Sequence, residues 1–292
     1  MLPKEIIKKI KKIQFKVSRL STDVMSGHYV SAFKGMGIEF DEVREYVPGD
    51  DIRSIDWNVT ARSGNPFIKR YVEERELTVI LMVDLSGSQR FGTVNHLKSD
   101  LAAEISALLA FLAIKNNDKV GLLIFSDVCE KYLPPQSGRQ HVLRVIREIL
   151  GYTPQGIGTN IGQALDFINK VTKHRSIIFL ISDFMDTGFE KPLKSISKHH
   201  DMVAISLTDP RESVLPAIGL IKFEDSETGI TTLIDTSSVM AREKVKLTAD
   251  AEMNRSKKII KSNKIDLIEI STAKSYLEPL QKFFLKRERR IR

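Results

Sequence analysis

The chain has 292 residues, 42% of them apolar and 28% charged, with a net charge of +8 and a single cysteine, Cys129. That length allows one large domain or one domain with an appendage, and the composition excludes a disulfide-stapled or disordered chain. The charge is uneven: residues 1–20 carry +6 and residues 282–292 carry +5, leaving −3 on the body, so no basic face for nucleic acid is predicted.

Lys4 to Leu20 places Ile6, Ile7, Ile10, Ile13 and Val17 at helical spacing among lysines. This amphipathic helix is expected to dock on the body, with a partner or an anionic membrane as alternatives. Residues 22–76 lack a sustained period. Their glycines suggest turns between short strands such as Gly37 to Tyr46 and Pro66 to Val72. From Leu77 the pattern becomes regular. Strands are predicted at Leu77–Val83, Lys119–Phe125, Cys129–Leu133, Ser176–Ile181, Met202–Leu207 and Ile265–Ile270. Helices are predicted at Leu97–Ile114, Gln140–Leu150, Ile161–Val171, Phe189–Lys198, Ser237–Ser262 and Tyr276–Lys286, and a hairpin at Ile218–Phe223 and Gly229–Ile234.

Strands alternating with helices predict an α/β fold: a doubly wound, mostly parallel sheet with helices on both faces. The interval between Phe125 and Cys129 is too short for a crossover, so that strand must return antiparallel at an edge. The expected division is residues 1–76, a helix and a small β-rich segment, followed by residues 77–292, the α/β domain. The lone thiol, the lack of a leader-like apolar core behind the N-terminal lysines, and the absence of an apolar run of roughly 18–20 residues predict a cytoplasmic protein. Peripheral membrane contact through the basic ends is the alternative.

Open α/β sheets bind ligands beyond the carboxyl ends of their strands, where strand order reverses. Asp84, Ser86 and Ser88 follow the first strand of the regular region, Asp183 follows Ser176–Ile181, and Thr159 precedes a helix. These five oxygen donors can meet in one crevice. Hydroxyls and carboxylates suit Mg2+ or Mn2+, which prefer oxygen ligands. Three neutral hydroxyls would leave much of the cation's charge uncancelled, so an acidic side chain from outside would be drawn to it. The reading requires the five side chains to converge, and their pocket not to be filled by a lysine or arginine of the chain. Each residue also has a plainer role available, as a helix cap or turn former.

The Asp84-x-Ser86-x-Ser88 string, with Thr159 and Asp183 in order behind it, resembles the metal-ion-dependent adhesion site of the von Willebrand factor A fold. A second string is more particular: Arg44-Glu45-Tyr46-Val47-Pro48-Gly49-Asp50-Asp51-Ile52-Arg53-Ser54-Ile55-Asp56-Trp57. It resembles the bacterial domain-of-unknown-function family fifty-eight, whose members carry such a segment before a von Willebrand A-like domain and are commonly encoded beside a MoxR-type AAA+ ATPase. The resemblance implies a non-enzymatic, divalent-metal-assisted protein-binding module. It would be partner or adaptor to such an ATPase in assembling or maturing protein complexes. Arg44, Arg53 and Arg62 are expected to pair with Asp50, Asp51 and Asp56 around Trp57 as a structural network, with partner docking as the alternative.

A phosphatase-like hydrolase at the same site and a membrane scaffold are the competing readings. Aspartate-nucleophile phosphatases need a second acid where Ser86 stands, a serine hydrolase needs Gly-x-Ser-x-Gly, and the six histidines show no ligand spacing.

Overall fold

The computed structural model describes residues 8–13, 15, 23–33, 38–73, 76–92, 97–227 and 229–291. Of the helix expected over residues 4–20, residues 8–13 and 15 are described and are helical; the remainder lies outside the described residues. Ile13 is buried in the main core, and Lys9 reaches Asp100 at 2.7 Å, so this stretch docks on the body.

A helix not predicted from the sequence follows, α1 (Asp23–Ala32). Next come β1 (Ile38–Glu45), α2 (Trp57–Ser63) and β2 (Phe67–Glu73), with β1 and β2 pairing antiparallel in a small sheet of their own. Asp56 caps α2 by accepting from the Asn58 and Val59 amides, and Arg44 grips Asp50 through two bonds of 2.9 and 2.7 Å. The expected stacking network is only partly present. Asp51 caps a 3-10 turn by accepting from the Arg53 amide, while Arg53, Arg62 and Trp57 are exposed, Trp57 at 67%.

The large sheet comprises β3 (Thr78–Asp84), β4 (Lys119–Phe125), β5 (Cys129–Gln136), β6 (Ile177–Ser182), β7 (Asp201–Thr208) and β10 (Asp266–Ser271). Its order is β10-β7-β6-β3-β4-β5, with β5 alone antiparallel. This is the doubly wound, mostly parallel sheet with one antiparallel edge strand expected from the alternation. A separate hairpin, β8 (Leu220–Glu224) with β9 (Thr231–Asp235), lies between β7 and β10 in the chain. On the outermost strand, β5, the register with β4 shifts around Pro134 and Pro135.

Strand residues alternate between two cores, which is why β3 and its neighbours read as unbroken apolar runs. Val79, Leu81 and Val83 face one side. There they meet α1, α3 (Lys98–Lys115), α4 (Arg139–Gly151) and α9 (Leu277–Ile291). Ile80 and Met82 face the other, against α5 (Ile161–Val171), α6 (Glu190–Ile196) and the end of α8 (Val239–Ser262). Helix α3 is buried on nearly all sides, from Leu101 to Ala113. A short turn of helix, α7 (Pro210–Ser213), follows β7. Among the described residues no helix is long and apolar enough to cross a membrane.

The C-terminal basic end is partly spent within the fold. Arg287 pairs with Asp201 and, at 3.6 Å, with Asp266, and Arg290 reaches Asp266 at 2.9 Å.

Helix α1 is tied to the sheet by a buried polar contact with a pH consequence. The Tyr29 hydroxyl donates to Asp118 Oδ2 at 2.9 Å, and the Leu77 amide donates to Oδ1 at 3.0 Å. Burial pushes the Asp118 carboxyl from an ordinary 3.8 up to about 6, with Glu76 adding a little. A carboxyl whose folded pKa lies above its unfolded one takes up a proton on folding. Its stability contribution is therefore full below about pH 4 and lost as pH rises through about 6. Wild type should lose about 2–3 kcal/mol relative to Asp118→Asn over that window, read from urea unfolding at about pH 4 and about pH 7. A wild-type-to-variant difference that stays flat with pH would count against this assignment.

Candidate metal centre

The reversal of strand order falls between β3 and β6, since the chain leaves β3 for β4 and β5 on one side and returns to β6 on the other. The carboxyl ends of these two strands deliver Asp84 and Asp183. Asp84 is wholly buried; its Oδ2 accepts from the Ser182 hydroxyl at 2.6 Å and its Oδ1 from the Ser86 amide at 2.9 Å. Burial, with the charge of Asp183 facing it, pushes the Asp84 carboxyl up to about 7 against those hydrogen bonds.

After β3 the chain enters a 3-10 turn, Gly87–Arg90, that holds the Ser86 and Ser88 hydroxyl oxygens 3.1 Å apart. The Gly87 amide donates to the Ile157 carbonyl at 2.8 Å, which brings the loop carrying Thr159 alongside. Glu130 of β5 organises that loop, accepting from the Ser126 hydroxyl at 2.7 Å and from the Gln155 and Gly156 amides at 2.9 and 2.8 Å. Burial alone would raise the Glu130 carboxyl, but these donors and Tyr152 outweigh it and lower its pKa. Gly156 packs close within this loop: a Cβ there would lie 1.7 Å from Asp127 Oδ1 and 2.3 Å from Ser126 Oγ, so both side chains would have to turn aside.

Asp183 is followed by Phe184, a bulky buried residue held at φ 59°, in the left-handed region where such residues cost roughly 1–3 kcal/mol. The Ser256 hydroxyl on α8 donates to its carbonyl at 2.9 Å, fixing the turn that presents Asp183. Asp186, in the same loop, accepts from the Ile161 amide at the start of α5 at 2.8 Å.

Four neighbours, Ser182, Lys98, Glu212 and Glu227, were not anticipated from the sequence. Ser182 orients Asp84. Lys98, fully buried at the start of α3, donates to Asp183 Oδ2 at 2.7 Å and also to Glu212 of α7. Burial works against its charge, but Asp183 and Glu212 outweigh that and raise its pKa. The chain's own lysine thus occupies one of the five predicted residues, Asp183, so the condition that no lysine of the chain enters the pocket is not met at that position; Asp84, Ser86, Ser88 and Thr159 are not among its partners. Glu227, from the tip between β8 and β9, accepts from the Thr159 hydroxyl at 2.6 Å. Burial raises the Glu227 carboxyl, as do the charges of Asp183, Asp225 and Asp186. None of the four stands in a motif; only their distant partners single them out.

Among the described residues no group of three or more His, Cys, Asp or Glu side chains forms a metal cluster. A metal here would rely on hydroxyl oxygens, and the donor set fits a hard divalent ion on that ground. Asp84, Ser86 and Ser88 adjoin one another, and Thr159 lies on the neighbouring loop. With one oxygen of Asp183 taken by Lys98, any role of Asp183 toward a metal falls to the other. The carboxylates around the crevice outnumber the lysine that answers them, which is the imbalance a cation relieves.

A family model described as "Protein of unknown function DUF58" matches residues 42–255. Uncharacterized proteins of Mycobacterium tuberculosis and Mycobacterium bovis are 29% identical over 283 residues, covering 96% of this chain and 89% of theirs. Among solved structures, a conserved hypothetical protein, BatB, from Bacteroides thetaiotaomicron aligns at 16% identity and TM-score 0.48, over 73% of this chain and 99% of that one. An aerotolerance-related membrane protein from Bacteroides fragilis aligns at 19% and 0.49, over 72% and 99%. The SpRpn10 VWA domain aligns at 14% and 0.38, over 70% and 93%.

Proposed function

Given that the chain belongs to the family described as "Protein of unknown function DUF58", we propose that its α/β domain is a protein-binding module assisted by a divalent metal, without a reaction of its own. What supports this reading is the contact of Asp84 with the end of β6 and of the Ser86–Ser88 turn with the loop that carries Thr159. Asp84, Ser86, Ser88, Thr159 and Asp183 would hold Mg2+ or Mn2+. The metal would supply positive charge for an acidic side chain of a partner protein.

The site's hydrogen bonding supports binding over catalysis. Three imidazoles bond away from the site: His141 to the Val120 carbonyl, His200 to the Ser176 amide, His28 to Glu288. The Ser86 hydroxyl has the Ser88 hydroxyl and the Asp84 carboxyl as neighbours, an all-oxygen setting that suits a hard cation. The partner we propose is a MoxR-type AAA+ ATPase, with the chain acting as its adaptor in assembling or maturing complexes. That rests on the resemblance of the Arg44–Trp57 string.

Calorimetry with magnesium chloride tests the metal. Asp84→Ala should weaken binding by at least about tenfold, or 1.4 kcal/mol, relative to wild type. Equal heats from both proteins, or none from either, would end the metal reading. Co-purification with the ATPase that lapses in Asp84→Ala would tie the partner to this site.

A further inference from the structure

The β8–β9 hairpin is anchored at its two ends and little in between. At its root Thr236 is fully buried, its hydroxyl donating to the Gly219 carbonyl at 2.6 Å and accepting from the Ile218 amide at 3.1 Å. Along the strands most side chains are exposed, Leu220 and Leu233 among them at 68% and 67%. The tip then folds back on itself, with the Glu227 amide donating to Asp225 Oδ1 at 2.9 Å and the Gly229 amide to the Asp225 carbonyl at 2.8 Å.

That tip lies on the candidate site through two independent contacts. Glu227 Oε1 takes the Thr159 hydroxyl, and the Ser226 carbonyl rests against Gly87, where an added Cβ would come within 2.2 Å of its oxygen. An arm that buries little along its length is held at the crevice by these two points. The crevice is also acidic: Asp183, Asp186 and Asp225 all oppose the charge of Glu227.

We propose that Glu227 is the chain's own ligand for this site, occupying the place of a partner's acidic side chain, and that the hairpin must swing out before such a partner can bind. The proposal rests on the reading above that the site receives a carboxylate. It deepens that reading by defining the ligand: a glutamate carboxylate carried on a tight turn, as Glu227 is in Asp225-Ser226-Glu227. A tethered ligand competes at high effective concentration, so external affinity falls in proportion to the fraction of molecules that are closed.

Hydrogen–deuterium exchange on the full chain tests the contact, and a synthetic peptide of residues 223–230 tests the competition. Glu227→Gln keeps the shape and removes the charge. Gly87→Ala keeps Glu227 and pushes the tip away. Both variants should exchange the amides of residues 87 and 229 roughly tenfold faster than wild type after correction for intrinsic rates, with cooperative unfolding retained. Both should bind the peptide roughly tenfold more tightly than wild type does in magnesium chloride. Unchanged exchange overturns the proposal, as does a peptide affinity that is the same for all three proteins, absent binding included. If the same gains appear without magnesium, the hairpin proposal stands and the metal reading falls.

Discussion

Lys98→Met is expected to destabilise the protein by about 3–5 kcal/mol, because it breaks a buried ion pair by removing one partner and leaves Asp183 in the interior without its counter-charge. Both partners are almost fully shielded, Lys98 at 0% and Asp183 at 2% side-chain exposure, so solvent cannot substitute. Methionine preserves the length and apolar contacts of the lysine stem, which confines the loss to charge. Adding Asp183→Asn should recover most of the loss, since removing both members of a buried pair costs far less than removing one. Urea unfolding reads both outcomes. A single-variant loss below about 1 kcal/mol would mean that Lys98 is not the internal counter-charge of Asp183.

Phe33→Ala should cost a similar amount, about 3–5 kcal/mol, by opening a cavity among aromatic rings. Its ring centroid lies 5.2 Å from that of Tyr29, 6.0 Å from Phe179 and 6.3 Å from Phe284, and the Arg287 guanidinium sits 4.6 Å over it. The contact joins the end of α1 to a central strand and to α9. A loss near zero would mean that α1 packs on the body without belonging to its core.

What could be read from the sequence, and what could not, follows from how each feature is encoded. The strands of the large sheet are buried on both faces, so Val79–Val83 or Ile177–Ile181 stand out as apolar runs whatever surrounds them. The antiparallel return to β5 was legible from the length of one loop. Asp84, Ser86, Ser88 and Asp183 were legible as candidates because polar groups at the ends of such runs are conspicuous. Helix α1 was missed because Gly27, Ser26 and Ser31 blur its pattern, although Met25, Tyr29 and Phe33 fall at helical spacing and are buried. The hairpin strands were found, but their exposure was not foreseen, since Leu220 and Leu233 suggest a covered face. Lys98, Ser182 and Glu227 act through partners between 68 and 114 residues away, and no local pattern reports such pairing.

The two prolines of β5 shape how molecules of this protein can meet. Pro134 and Pro135 lack amide hydrogens, and they stand on the outermost strand where another chain's backbone would otherwise zip alongside. Lateral growth of the sheet into ribbons is hindered along that rim.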